Sequence, residues 1–253
     1  MMDLLLVRHG ESEWNQQNLF TGWTDVALTD RGRAEADLAG ELLVQEGFDF
    51  DLCYTSYLKR AIDTLDFILK AMDRQWLPVV KDWRLNERHY GALQGLNKAE
   101  TAKQYGEEQV LLWRRSFDVP PPPLAEDDPR NPQKQVQYRD VDPSLLPLCE
   151  SLKDTIHRVM PYFTGVIRPQ MEAGKRVLIV AHGNSIRAMM QVFEQLTPEE
   201  ILTVNIPTGV PLLYTFDDAF QTVNHRYLGD PDAIARKMQT VANQGKVNAP
   251  KAP

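Results

Sequence analysis

The chain has 253 residues, of which 43% are apolar and 25% charged, a balance ordinary for a globular protein with ample material for a core. Its net charge of -7 argues against general nucleic-acid binding, which needs a basic footprint. Any anion site must therefore gather cations locally against the global sign. Cys53 and Cys149 stand in no CxxC or zinc spacing, so no disulfide framework is expected, which fits a reducing compartment.

The N-terminus reads MMDLLLVRHG. Its apolar stretch, 4–7, is too short for a signal peptide and follows Asp3. No run approaches the roughly 20 apolar residues of a membrane helix. The expectation is a cytoplasmic protein with no membrane partner. The run 4–7 reads as a buried strand. Thr29 can cap a helix over 30–45, closed by Gly47, with Leu38 and Leu42 marking one face. A second apolar run, 50–56, contains Cys53 as a buried small hydrophobe. A helix follows over 58–72 with Ala61, Leu65, Ile68 and Leu69 inward. Residues 120–147 are rich in proline and charge and have little periodicity; they read as a lid-like insertion folded over the surface. A long helix over 151–172 should be kinked or interrupted by Pro161 and Pro169. The run 176–181 is a strand with a helix after Asn184. The run 211–216 is a strand, and the last helix follows Pro231. Residues 244–253 read as a mobile tail. Strands buried on both faces, alternating with helices, predict a single α/β domain over 1–243 with a mostly parallel sheet.

Two histidines share one context. LLLVRHG places His9 after a buried strand, and RVLIVAHGNS places His182 after another. Ligand sites in open α/β sheets form at the carboxyl ends of strands, so two strands ending in His-Gly can aim two imidazoles into one crevice. Gly10 and Gly183 permit tight turns and close approach of a ligand to backbone N–H groups. A lone histidine there reads as a structural hydrogen-bonding residue; the repeat of the context reverses that. No HxxxH or HxH pair is present, which argues against a metal site. Arginines fill the same neighbourhood: Arg8 beside His9, Arg60 in TSYLKRA, and the pair Arg114-Arg115. Guanidinium offers a planar fork that matches phosphate or carboxylate. An unpaired charge beside an aliphatic strand is costly, which singles out Arg8.

RHGESEWN at 8–15, FTGW at 20–23, LNERHYGALQGLNK at 85–98, WRR at 113–115, AHGNS at 181–185 and NIPTGVPL at 205–212 together resemble the bisphosphoglycerate-dependent phosphoglycerate mutases of the histidine phosphatase superfamily. The resemblance runs from residue 3 to about residue 245. The stretch 130–147 and the end after Lys246 depart from the family's pattern. It implies the three-layer α/β/α histidine phosphatase fold and interconversion of 3-phosphoglycerate and 2-phosphoglycerate in glycolysis and gluconeogenesis. It makes His9 the phosphorylated nucleophile, primed by 2,3-bisphosphoglycerate and without a metal. Arg8, Arg60 and His182 would stabilise the charged transition state, and Glu87 would be the general acid/base. From spacing alone, the preferred reading of Glu87 is an ion pair with Arg84 or Arg88; the resemblance overturns it. By the same resemblance the substrate is held by Gly10, Glu11, Ser12, Asn15, Thr21, Gly22, Arg88, His89, Tyr90, Lys98, Arg114, Arg115, Gly183 and Asn184, with His89 acting through its backbone. Trp14, Trp23 and Trp113 are assigned to packing, and His157 and His225 to the surface or to structure. Ser12 with Thr21-Gly22 keeps the mutase pattern rather than that of the bisphosphoglycerate synthases. A phosphatase of the superfamily and a non-catalytic anion-binding protein are the remaining alternatives. The family's members are homodimers or homotetramers.

Overall fold

The computed structural model describes residues 1–244; all of the expected tail but Gln244 lies outside the described residues. The strands are β1 Met2–Arg8, β2 Leu52–Thr55, β3 Val79–Lys81, β4 Val177–Ala181, β5 Pro211–Phe216 and β6 Thr222–Tyr227. The helices are α1 Glu13–Gln16, α2 Asp30–Gln45, α3 Lys59–Ala71, α4 Lys98–Tyr105, α5 Glu107–Arg115, α6 Leu152–Tyr162, α7 Arg168–Glu172, α8 Gly183–Phe193, α9 Pro198–Thr203 and α10 Pro231–Asn243.

One sheet has the order β3-β2-β4-β1-β5-β6. Pairings β1/β4, β2/β4 and β2/β3 are parallel, while β1/β5 and β5/β6 are antiparallel. The sheet is thus mostly parallel with an antiparallel edge. Alternate residues of a strand face opposite ways, and both faces are covered. Leu4, Leu6, Tyr54, Ile179 and Tyr214 join a core with Val159, Phe163 and Met189 from α6, the turn after it and α8. Leu5, Val7, Cys53, Leu178 and Val180 join another with Ala39 and Leu43 of α2 and Leu65 and Ile68 of α3. Double-sided burial is why LLLV and VLIVA are unbroken aliphatic runs.

Thr29 caps α2 by accepting from the Gly32 amide. The buried face of α2 differs from the expected one. Leu38 is 62% exposed, and Ala36, Ala39, Gly40 and Leu43 turn inward instead. Small residues win because α2 lies close against α3: a Cβ on Gly40 would stand 2.7 Å from the Ile68 carbonyl oxygen. Leu42 is half-buried and packs against this core. The expected long helix over 151–172 is broken into α6, a π-helical turn Phe163–Ile167 and α7. Pro161 sits inside α6 just before the turn, and Pro169 sits in the first turn of α7. A proline that cannot donate to the preceding turn is an ordinary cause of such a widened turn.

The sequence pattern did not reveal β3, three partly exposed residues on one sheet edge, or β6, which is mostly exposed on the other. Residues 120–147 fold back on the body. Tyr138 is buried, stacks near Trp23 and Tyr57, and accepts from the Asn86 amide at 2.8 Å. Arg130 donates to the Gln94 carbonyl at 2.7 Å. Among the described residues no helix is long and apolar enough to cross a membrane.

Candidate active site

Strands β1 and β4 are parallel neighbours in register, with Arg8 opposite Ala181. The next residue of each chain segment is therefore a histidine at the same edge of the sheet. The His9 amide donates to the Ala181 carbonyl at 3.0 Å, and the two imidazole centroids lie 5.0 Å apart. His9 Nδ1 is 2.7 Å from the Gly10 carbonyl oxygen. A carbonyl can only accept, so Nδ1 holds the proton and Nε2 keeps its lone pair. Arg60 Nε donates to that nitrogen at 3.3 Å. Burial, then the Arg60 and Arg8 charges, holds His9 well below the ordinary histidine range. The imidazole is neutral, as a nitrogen nucleophile must be.

Arg60 is itself fixed by the loop that FTGW forms. Its Nη2 donates to the Gly22 carbonyl at 2.8 Å and its Nη1 to that of Thr24 at 3.0 Å. Gly22 adopts φ +53° to present that carbonyl. Arg8 donates through Nη1 to the Ile206 carbonyl at 2.7 Å, while its Nε is buried without a partner.

Glu87 lies 97 residues from Asn184 in sequence but beside it in space. Its Oε1 accepts from the Arg88 amide at 2.7 Å and the Asn184 amide at 3.1 Å. The backbone beneath it is clamped by a buried ion pair. Arg158 makes two hydrogen bonds to Glu150, at 2.8 and 2.7 Å, and also donates to the carbonyls of Arg84, Asn86 and Glu87. Glu150 in turn accepts from the His89 amide at 2.8 Å. The sequence alternative of an ion pair to Arg84 or Arg88 is not what the side chains form: Arg84 pairs with Asp82, and Arg88 donates to the carbonyls of Trp113 and Arg114.

One cavity joins these groups. Its wall includes Arg8, His9, Asn15, Thr21, Gly22, Arg60, Glu87, Tyr90, Lys98, Arg114, Arg115, Gly183 and Asn184. His182 is buried beside His9, and its ring is not part of that wall. Gly10, Glu11, Ser12, Arg88 and His89, also expected around the substrate, do not line the cavity. Gly10 serves a backbone crossing rather than a ligand: a Cβ there would sit 2.1 Å from the Gly32 carbonyl oxygen, and its N–H donates to Thr64 Oγ1. Glu11 binds Thr29, and its amide donates to Glu35. Ser12 caps α1 and occupies Asn15 Oδ1, which leaves the Asn15 Nδ2 donor for the cavity. Arg88 ties down the last turn of α5, the helix that carries Arg114 and Arg115. The His89 ring accepts from the Gly91 amide at 3.0 Å.

The sequence reading missed Arg187, Ile206, Val241 and Gln244, all in the wall. Arg187 stands one helical turn after Gly183 on α8, a spacing that points it at the same face. Its Nη1 holds Asn184 Oδ1 at 2.8 Å. Ile206 lies within the quoted NIPTGVPL block, but only the fold shows that its carbonyl anchors Arg8. Gln244 accepts from Lys98 Nζ at 3.1 Å, and its carbonyl accepts from Arg114. No local pattern announces that contact.

Electrostatically the cavity is a cluster of cations short of anions. Burial, then Arg114, Arg8 and Arg115, holds Lys98 well below the ordinary lysine range. Burial and then Arg115 bring Arg114 to about 10. Bringing an anion with several charges into this wall would relieve that mutual repulsion. Among the described residues no group of three or more His, Cys, Asp or Glu is placed to hold a metal ion.

Residues 4–226 match the model of the histidine phosphatase superfamily, branch 1. A 2,3-bisphosphoglycerate-dependent phosphoglycerate mutase of Treponema denticola is 64% identical over 97% of this chain and 99% of its own. One from Lachnoclostridium phytofermentans is 61% identical over 97% and 99%. Among solved structures, a mycobacterial glucosyl-3-phosphoglycerate phosphatase superposes with a TM-score of 0.67 at 23% identity, covering 90% of this chain and 97% of that one. The alpha-ribazole phosphatase of Shigella flexneri superposes at 0.65 and 23%, over 90% and 96%. At that identity these two speak for the fold alone. The chain belongs to the histidine phosphatase superfamily and, within it, to the 2,3-bisphosphoglycerate-dependent phosphoglycerate mutases.

Proposed function

We propose that this chain interconverts 3-phosphoglycerate and 2-phosphoglycerate through a phosphohistidine at His9, as a cytoplasmic homodimer or homotetramer. The observation that carries the reading is the His9 Nε2 lone pair, held by Arg60 within a cation-walled cavity whose rim also bears Glu87. The donor set fits 2,3-bisphosphoglycerate as the priming molecule. Arg8 Nε and His182 Nδ1 are buried without partners, and Lys98, Arg114 and Arg115 lie beyond them for a second phosphate and a carboxylate. When bound, this molecule supplies the phosphoryl group that primes His9.

His9 Nε2 attacks phosphorus, and its lone pair forms the P–N bond as the P–O bond breaks. Arg8, Arg60 and His182 bind the equatorial oxygens on which charge spreads. Glu87 takes the proton of the substrate hydroxyl when His9 gives the phosphoryl group up, and returns it in the reverse step. Asn15 and Asn184 add neutral donors. Return of the other phosphoryl group to His9 completes the interconversion.

An enolase-coupled assay, run with and without 2,3-bisphosphoglycerate, tests the reading. Turnover should depend on the primer, and the wild-type protein should hold an acid-labile phosphoryl group. His9→Ala should lose both. A variant that still labelled and turned over would put the phosphoryl carrier elsewhere. No turnover of the wild type under either condition would leave an anion-binding protein without catalysis.

A further inference from the structure

Both histidines need a fixed tautomer, and the fold fixes them by different means. His9 is set by the Gly10 carbonyl. His182 has no carbonyl on either ring nitrogen. Its Nε2 lies 2.8 Å from Ser56 Oγ, and its Nδ1 is buried without a partner. Ser56 sits in the turn between β2 and α3, is fully buried, and accepts from the Leu58 amide at 3.1 Å. The hydroxyl proton therefore needs an acceptor, and His182 Nε2 is the one in reach. If Nε2 carried the proton instead, the Ser56 hydroxyl hydrogen would be left buried and unpaired, at the cost of desolvating it.

We infer that Ser56 is a positioning residue for phosphoryl transfer: its hydroxyl donates to His182 Nε2 and so fixes the proton on Nδ1, as a donor to the phosphoryl group passing to and from His9. The relay runs from the Leu58 N–H through Ser56 Oγ–H to His182 Nε2. Burial, then the Arg60, His9 and Arg8 groups, holds His182 well below the ordinary histidine range, so the ring donates as a neutral imidazole. The balance of the step is simple. The His9 Nε2–P bond forms as the P–O bond to the donor breaks, and Glu87 supplies the proton that the departing oxygen takes. His182 Nδ1–H gives a hydrogen bond to a non-bridging oxygen and keeps its proton throughout. With the other tautomer, Nδ1 would present a lone pair to that oxygen, and transfer would slow.

This inference rests on the reading of His9 as phosphoryl carrier, and the test separates the two. Two-bond 1H–15N spectra of the full-length protein should show His182 protonated on Nδ1 and bare on Nε2. Ser56→Ala should mix or reverse that pattern and slow labelling of His9 by 2,3-bisphosphoglycerate about tenfold or more, as mis-set imidazoles do elsewhere, with little change in KM. Ser56→Thr, which keeps the hydroxyl, should restore the wild-type pattern and most of the rate. A wild-type His182 protonated on Nε2, or a Ser56→Ala protein with wild-type tautomer and rate, would overturn the inference. Loss of rate with an unchanged tautomer would make Ser56 merely structural and also overturn it. A wild-type protein that takes no label would instead overturn the reading of His9, whatever the tautomer.

Discussion

At the scale of single residues, the site works by using up the hydrogen-bonding capacity of its members on all sides but one. His9 spends Nδ1 on a carbonyl, Asn15 spends Oδ1 on Ser12, and Asn184 spends Oδ1 on Arg187. What remains is the nucleophilic lone pair of His9, which accepts from Arg60, and the N–H donors of the two asparagines, of which Asn184 Nδ2 also reaches Tyr90 Oη at 3.3 Å. Arg187 shows the consequence. It also donates to the carbonyls of Arg115 and Ile201, at 3.3 and 2.6 Å, so it fixes both a substrate-side amide and the end of α5. Arg187→Met keeps much of the volume but frees the Asn184 amide to rotate. Steady-state kinetics should show KM for 3-phosphoglycerate rising about tenfold, the worth of one lost charge-assisted hydrogen bond. An unchanged KM would show that Asn184 is held without it. The six motif blocks named most of the cavity wall because each is a short local string. They did not separate residues that face the cavity from residues such as Arg88 and His89 that sit behind it, since neighbours in a string can point opposite ways.

At the scale of elements, the approach of α2 to α3 sets the depth at which Arg60 and Thr64 meet the β1 loop. Thr64 accepts from the Gly10 amide at 3.1 Å, and Arg60 reaches His9 from the same helix. Gly40 makes that approach possible. In an open helix a Gly→Ala change stabilises by about 1 kcal/mol. Gly40→Ala should instead cost about 1–3 kcal/mol through overpacking, read as a lower urea midpoint. Gly165→Ala is the control, because a Cβ there meets nothing within 4 Å; it should not lower the midpoint. Equal effects at the two positions would mean that the α2–α3 contact yields easily. The same contact explains the misassigned face of α2. Hydrophobicity points to Leu38, but close packing selects small residues, and a leucine at the seam would hold the helices apart.

At the scale of the whole molecule, a chain of net charge -7 buries a cationic cavity and three neutral histidines together. Burial leads the causes that hold His9 and His182 well below the ordinary value, and burial with Arg158 and Arg130 brings His89 to about 3. The unfolded chain protonates each of these near pH 6.5, whereas the folded chain does not. Between that value and the lower folded one the unfolded state binds more protons, so stability is full above about 6.5 and falls as pH drops through it. Each such histidine contributes up to about 1.4 kcal/mol per pH unit in that window. Urea midpoints should hold steady from pH 8 to 7 and decline from pH 6.5 to 5. A flat profile across the lower range would mean that these rings take up protons within the fold.

The residue string alone carries the strands that end in histidine, the helices between them and the class of chemistry, because double-sided burial and capping leave local signatures and the family's motifs are contiguous. It also determined which charged residues belong together, through the order of the blocks. The folded chain settles which of them face the cavity, that Glu87 is held by Asn184 and clamped from below by Arg158 and Glu150, and that Arg187 and Gln244 complete the wall. It alone assigned the protons on His9 and His182, through a carbonyl one residue away and a serine 126 residues away. These are contacts between distant segments, fixed by the register of β1 against β4 and the packing of α3 and α8, and no local string records them.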